Sequence, residues 1–405
     1  MFDTGNTGFM LVATSLVMLM TPGLAFFYGG LVGRKNVLTI MTQIFVSMGL
    51  TTIIWWAYGY SVCFSGGVGG IIGNLDKMFL RGINLNTLSP FGSGNIPEFV
   101  FMAYQMMFAI ITPALITGAF SNRIRFSAYL MFLVAWLTFV YFPFVHMVWG
   151  NGLLAKLGVL DFAGGIVVHN IAGMAALASI LYVGRRKVGD SIPHSIPLVA
   201  LGTGLLWFGW YGFNAGSELK VDAVTGLAFL NTDIAASFAG PVWMLFAWIF
   251  EKKPKFLGLL TGAVAGLATI TPCAGYVTPT SAALIGTIAG AVCYFAVNLK
   301  NRLKWDDALD VWGVHGVGGA LGVVLLGLLA SKAVNAAGAD GLLRGNASFF
   351  LMQIFTIIVS SIYAFGFTWL MLWAINKITP VRTTEKEEEI GLDASLHGET
   401  AYEGM

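Results

Sequence analysis

The sequence predicts an all-α integral membrane protein of eleven transmembrane helices. They form a 5+5 inverted repeat plus one extra helix, with the N-terminus outside and the C-terminus cytoplasmic. Three observations carry this expectation. The 405 residues are 57% hydrophobic and only 10% charged, against roughly 25% charged in soluble domains, so water is not the solvent for most of the surface. Apolar runs close to the ~20 residues that a span requires recur along the whole chain. The basic residues fall in alternate loops, as the positive-inside rule demands of a multi-pass protein.

The first run, 8–31, follows a polar stretch, Met1 to Thr7, that lacks lysine and arginine. It therefore reads as a span and not as a signal peptide. Arg34 and Lys35 separate it from 37–64, and a Gly/Asn/Ser-rich stretch, Gly66 to Pro97, reads as a long external loop. Span 98–120 leads to Arg123 and Arg125, then 126–148 and 160–183 lead to Arg185, Arg186 and Lys187. Spans 195–215 and 228–250 are closed by Lys252, Lys253 and Lys255; 256–273 and 280–299 are closed by Lys300, Arg302 and Lys304. Spans 308–330 and 348–376 complete the set, with Lys377, Arg382 and Lys386 in or beside the tail. The other alternate loops hold only Lys77, Arg81, Lys156, Lys220, Lys332 and Arg344 of the 22 basic residues.

Residues 1–378 are thus expected to be the transmembrane domain, with pseudo-repeats at about 8–183 and 195–330 and a final helix at 348–376. Five spans per half would turn the second half upside down relative to the first. Residues 379–405 read as a cytoplasmic tail whose acidic run, Glu385, Glu387, Glu388 and Glu389, fits a solvated segment. The net charge of +2 is scattered between apolar runs and implies no nucleic acid. Cys63, Cys273 and Cys293 lie in or beside apolar runs, without disulfide or zinc spacing, and read as buried free thiols.

The strongest internal echo pairs "DFAGGIVVHNIAG" at 161–173 with "DVWGVHGVGG" at 310–319. Each has an acid near its start, a histidine further in and a glycine four residues beyond the histidine. His169 and His315 fall roughly 12–14 Å from opposite ends of their spans, close to the middle of a ~30 Å hydrocarbon layer. Ionisable residues at that depth face the bundle interior and mark pathways or relays. A symmetric pair points to a lined path for a small permeant that forms hydrogen bonds or exchanges protons. No third ligand at matching depth supports a metal site, and no cofactor is implied. His146 and His194 read as structural or incidental.

Asp161 and Asp310 start their helices, where a carboxylate caps free N–H groups. Their spacings to the histidines put neither pair on one helix face. Capping is favoured over direct cation binding, and Asp161 also bears on the charge of an outer vestibule. Phe108, Trp149 and Phe213 lie toward the outer halves of their spans, with Ser217 just beyond. Such a group fits either an interfacial aromatic belt or a cage for a small cation. Glycine runs such as "GLLTGAVAGLA" suit close helix packing, and nothing matches a potassium-channel filter.

Taken together, "TPGLAFFYGGLVGRKN" at 21–36, "GAFSNRIRF" at 118–126, "DFAGGIVVHNIAG", "WFGWYGFNAGS" at 207–217, "DDALDVWGVHGVGG" at 306–319 and "GLDASLHGE" at 391–399 resemble the Amt/Mep/Rh ammonium transporters, on the Amt side. The resemblance covers essentially the whole chain. It implies a non-enzymatic ammonium transporter of the cytoplasmic membrane, a homotrimer with one pore per subunit, and a PII-type signal protein as cytoplasmic partner of a regulatory tail; "GLDASLHGE" argues for a tail docked on the cytoplasmic face, against the solvated reading of the acidic run. At matching positions it implies an external ammonium site at Phe108, Trp149 and Ser217, a phenylalanine gate at Phe108 and Phe213, twin histidines at His169 and His315, and an acid near the external site at Asp161. Tyr104 departs from the phenylalanine common in relatives. The rival readings are a channel for neutral ammonia alone and an ammonium sensor acting through the tail.

Overall fold

Long runs of leucine, isoleucine, valine and phenylalanine satisfy every backbone hydrogen bond within the segment only as helices, which is the condition for crossing a hydrocarbon layer. The computed structural model, which describes residues 1–67, 69–188 and 192–402, is built from such helices. Among the described residues, ten are long and apolar enough to cross a membrane, and an eleventh is shorter. In chain order they are α1 (Thr4–Leu31), α2 (Arg34–Phe64), α3 (Glu98–Ile116), α4 (Phe126–Lys156), α5 (Gly165–Val183), α6 (Ile196–Glu218), α7 (Ala223–Glu251), α8 (Phe256–Ile270), α9 (Pro279–Arg302), α10 (Trp312–Leu329) and α11 (Ala347–Ile378). The helix count matches the sequence expectation, with ends shifted by a few residues. The largest shift is in α4, which breaks after Val148 and resumes as the turn Leu153–Lys156.

Helix α1 packs along α6, with α2 and α3 on its other flank; α7 packs on α6, α8 and α9; α5 lies between α3, α10 and α11. Close approach is made by glycine. A Cβ on Gly202 of α6 would meet the backbone of Phe27 and Gly23 of α1, so the two helices touch backbone to backbone as small-residue contacts permit. The loop between α2 and α3 carries one short turn, Met78–Leu80, and an isolated bridge from Leu88 to Pro97. Buried Glu98 anchors it through Lys77 and the Tyr60 hydroxyl (2.6 Å).

The tail departs from the solvated reading. After α11 it forms the short helix α12 (Glu385–Ile390) and a turn, Asp393–His397. Glu388 is buried, pairs with Arg382 (2.9 Å) and accepts the Lys187 amide (2.7 Å), while Glu387 pairs with Arg125 (3.1 Å). Asp393 accepts the amides of Leu38 (3.0 Å) and Thr39 (2.7 Å) and the Thr39 hydroxyl (2.8 Å). A tail carboxylate therefore supplies the N-terminal cap of α2. Arg125 at the start of α4 and Arg382 within the tail supply the counter-charges that a free acidic run would lack, so only part of the run, including Glu385 and Glu389, stays exposed. Cys63, Cys273 and Cys293 are buried free thiols.

Candidate functional site

Asp161 opens the site. Its carboxylate accepts the amides of Gly164 (2.8 Å), Gly165 (2.6 Å), Ile166 (2.8 Å) and Val167 (3.1 Å). This is a complete cap for the first turn of α5, which begins with a π-helical turn, Gly165–Asn170. With both oxygens committed to backbone donors, the carboxylate has no free face for a cation. The corresponding cap on α10 does not come from Asp310, as its place in the motif had suggested. Asp307 makes it, accepting the Trp312 amide at 2.7 Å, while Asp310 sits at φ 61° and pairs with Lys300 Nζ at 2.6 Å. The left-handed turn at Asp310 swings its side chain away from the helix axis, and Asp307, three residues earlier, takes its place.

The first turn of α10, Trp312–Val317, is also π-helical. His169 and His315 thus each ride on a π turn, which widens the helix by one residue per turn and occurs most often at functional sites. The glycine found four residues beyond each histidine now has a physical reason. A Cβ on Gly173 would strike the Gly316 backbone, and one on Gly319 would lie 2.6 Å from His169 Cβ. Only glycine lets α5 and α10 cross closely enough for the rings to meet. They do meet: both are buried, the ring centroids are 5.2 Å apart and 22° from parallel, and the two Nδ1 atoms are 3.2 Å apart. His169 Nε2 is buried with no hydrogen-bond partner among the described residues.

Three spaces follow one another around this pair. A cavity of about 460 Å³ is lined by Phe108, Trp149, Ser217, Phe162, Tyr276 and others. A lumen of about 10 Å³, lined by His169, His315, Phe213, Trp210, Leu24, Ile111, Val168 and other mostly apolar groups, comes next. A second cavity of about 440 Å³, lined by His315, Asp310, Glu251, Asn298 and Tyr28 among others, lies beyond. The lumen has room for about one water-sized sphere and offers little but imidazole nitrogen for hydrogen bonding. Phe108 borders the first cavity and Phe213 the lumen; their rings lie 4.3 Å apart and 34° from parallel, a tight partition between the two. His315 borders both the lumen and the second cavity.

The remaining expected residues converge on the first cavity. The Trp149 ring stands edge-on to Phe108 (5.7 Å, 85°), and its indole N–H donates to the Asp161 carbonyl (2.9 Å). Ser217 Oγ donates to the Phe213 carbonyl at 2.9 Å, leaving its lone pairs for another donor. The Tyr104 hydroxyl is buried and lies within hydrogen-bonding range of the Phe213 and Gly212 carbonyls (2.8 and 3.0 Å) and of Ser217 Oγ (3.3 Å). It therefore ties α3 to the end of α6 beneath Ser217, a role that phenylalanine cannot fill.

Sequence reasoning missed Trp210. It stacks on His169 (5.5 Å, 24°) and donates to Thr271 Oγ1 at 2.9 Å, fixing the imidazole plane from the α6 side. Its place inside "WFGWYGF", three residues before Phe213, was the available signal. Of the two readings open for His146 and His194, structural or incidental, the structure favours the first: His146 Nδ1 bonds the Cys63 carbonyl (3.0 Å), and His194 bonds the Val32 carbonyl (3.0 Å) and the Tyr402 hydroxyl (2.8 Å).

Comparison with known proteins places this geometry in context. Residues 8–402 match the model of the Ammonium Transporter Family. The ammonium transporter of Bacillus subtilis is 46% identical over 401 residues, covering 98% of each chain. Ammonium transporter Amt1 of Archaeoglobus fulgidus is 44% identical, covering 98% of this chain and 99% of its own. Among solved structures, Mep2 of Candida albicans superposes with a TM-score of 0.89 at 36% identity, over 95% of this chain and 88% of that one. A structure described as a sensor Amt protein gives 0.87 at 31% identity, over 96% and 98%.

Proposed function

Because the chain belongs to the ammonium transporter family, we propose that it recruits ammonium ion in the cavity bounded by Phe108, Trp149 and Ser217 and conducts ammonia past His169 and His315. The observation that carries this reading is the sequence of spaces: an aromatic cavity with a free hydroxyl acceptor, a ring partition, and a narrow lumen almost without polar groups. The aromatic faces attract a small cation, and Ser217 accepts one of its hydrogens in place of water. A bare cation in an apolar lumen is costly by several kcal/mol, whereas neutral ammonia is not. The ion gives up its proton beside the Phe108–Phe213 gate, which opens transiently; the proton returns to the water of the outer cavity or travels separately, and the neutral molecule exchanges hydrogen bonds along the imidazole edge.

The external cavity is the one on the side of Ser217, with the N-terminus outside and the tail in the cytoplasm, and three copies of the chain form the working assembly. The alternation of basic loops supports this orientation. Recruitment of the cation distinguishes this transporter from a channel for neutral ammonia alone. The experiment is ammonium binding to protein in nanodiscs, with Trp149→Leu and Ser217→Ala as variants. Weakened binding in both supports recruitment there, and unchanged binding overturns it.

The docked tail supports a second reading on the cytoplasmic side. Its contacts with α2, Arg125 and Lys187 tie it to the ends of helices that line the conduction path, which suits reporting of ammonium status to a PII-type protein. Loss of PII binding on deletion of residues 379–405 tests it.

A further inference from the structure

A carboxylate, Asp233, lies well inside a membrane span but away from the conduction path. Asp233 sits ten residues into α7, about 15 Å from its start. It is half-buried, on the outer face of the bundle, among exposed Phe208, Phe229, Leu230 and Phe238. Trp207 Nε1 (3.2 Å) and the Tyr211 hydroxyl (2.6 Å) both donate to Oδ1. Oδ2 has no partner among the described residues. Lipid tails hold no donor at this depth, and carboxylates in spans are otherwise found paired or facing a protein interior. The surface around Asp233 is therefore incomplete in one copy of the chain.

The same surface holds a matching donor elsewhere. Trp56, on α2, is 48% exposed, and its indole N–H has no partner among the described residues. It lies eight residues before the end of α2, about 12 Å below it. The end of α2 and the start of α7 lie on one side of the bundle, because the loop after α2 packs on Leu219 and Lys220 through Gly92 and Gly94. Donor and acceptor are thus at nearly one depth. They also flank one face: α1 and α6 pack side by side, α2 lies against α1 and α7 against α6. Rotation about an axis in front of α1 and α6 brings α7 of one copy toward α2 of the next, which is how a heterologous contact closes a ring.

We propose that Asp233 is an intersubunit acceptor: in the assembled protein its free oxygen is covered by α2 of a second copy of this chain, with Trp56 as the donor. Exposed Gly226 and Ser237 on the α7 stripe and Gly204 on α6 have the small size that close helix approach requires. The contact rests on the homo-oligomeric reading given above and assigns the residues that join its copies.

The test co-expresses two full-length chains, one carrying Asp233→Cys and the other Trp56→Cys, and treats membranes with a short bifunctional thiol reagent. A cross-linked dimer, absent when either chain is expressed alone or when neither cysteine is added, is the expected result. In parallel, dissociation of the oligomer in detergent is timed for wild type, Asp233→Leu, Asp233→Asn and Trp56→Phe. Loss of a hydrogen bond to a charged group accelerates dissociation about tenfold in Asp233→Leu and Trp56→Phe, with no further effect in the double variant, and Asp233→Asn restores part of the lifetime. An oligomer that forms no cross-link and dissociates at wild-type rates in all variants overturns the contact and leaves the oligomer intact. A wild-type protein that is monomeric in membranes overturns both.

Discussion

The Nδ1 atoms of His169 and His315 lie 3.2 Å apart in a buried, nearly parallel pair of rings. At that distance one Nδ1 must carry the hydrogen and the other a lone pair, since neutral imidazole has one donor and one acceptor nitrogen. The tautomers are therefore opposite: one ring presents a bare Nε2 and the other an Nε2–H. Nitrogen NMR of histidine-labelled protein should find one Nδ1-protonated and one Nε2-protonated ring, each signal assigned by His169→Ala and His315→Ala. Two Nε2-protonated rings would contradict the hydrogen bond.

The Phe108–Phe213 partition makes a prediction about selectivity. Phe213→Ala removes the ring that closes the lumen and the contact worth about 1 kcal/mol to the pair. Potassium, which the wild type is expected to exclude, should then produce a measurable flux in proteoliposomes, whereas Phe213→Leu should leak less. Identical potassium exclusion in all three proteins would show that the rings do not bar the path.

Asp161 accepts four amides, so its replacement is expected to act on folding first. Asp161→Asn exchanges a charged acceptor for an amide that matches at most part of that donor set, costing about 3 kcal/mol. The folded fraction recovered in detergent and the melting temperature should both fall. A variant with wild-type stability but reduced ammonium binding would instead assign Asp161 a direct part in recruitment.

The tail contacts predict an acid transition. The backbone amide and the hydroxyl of Thr384, aided by Arg125, hold the Glu387 carboxyl below its ordinary range. Burial alone would raise Asp306, but Arg186 and Arg123 bring it below its ordinary value. Groups lowered in the folded state stabilise it above the ordinary carboxylate pKa, and that support is lost as pH falls through their own values. Asp307 works the other way, pushed by burial up to about 6 against the pull of Lys300, so it gains nothing from high pH. A fluorophore at Glu399→Cys should report a docked tail at neutral pH and release below about pH 4. Asp393→Ala, which removes the α2 cap, should release it at a higher pH. No pH-dependent signal would contradict ionic docking.

Spans, loops and the pairing of His169 with His315 were legible in the sequence because hydropathy, basic clusters and the depth of a histidine are one-dimensional quantities. The glycine after each histidine was visible as an echo, but its reason, the crossing of α5 and α10, needed three dimensions. The exchange of Asp310 for Asp307 as a cap was hidden because it turns on one residue's left-handed backbone. Trp210 was hidden among aromatics that fit a membrane belt equally well. The docked tail was legible only through "GLDASLHGE": the acidic run has the composition of a solvated segment, Arg382 stands six positions before its partner Glu388, and Arg125 lies 262 positions from its partner Glu387.

In the proposed mechanism ammonium is selected over other cations in the aromatic cavity and crosses as ammonia along the histidine pair. Flux under an ammonium gradient in proteoliposomes tests it most directly, comparing wild type with His169→Ala/His315→Ala and ammonium with potassium. Saturable ammonium flux in the wild type, no potassium flux, and a fall of about tenfold or more in the double variant are expected. Potassium flux comparable to ammonium in the wild type, or unchanged ammonium flux without the two imidazoles, would contradict it.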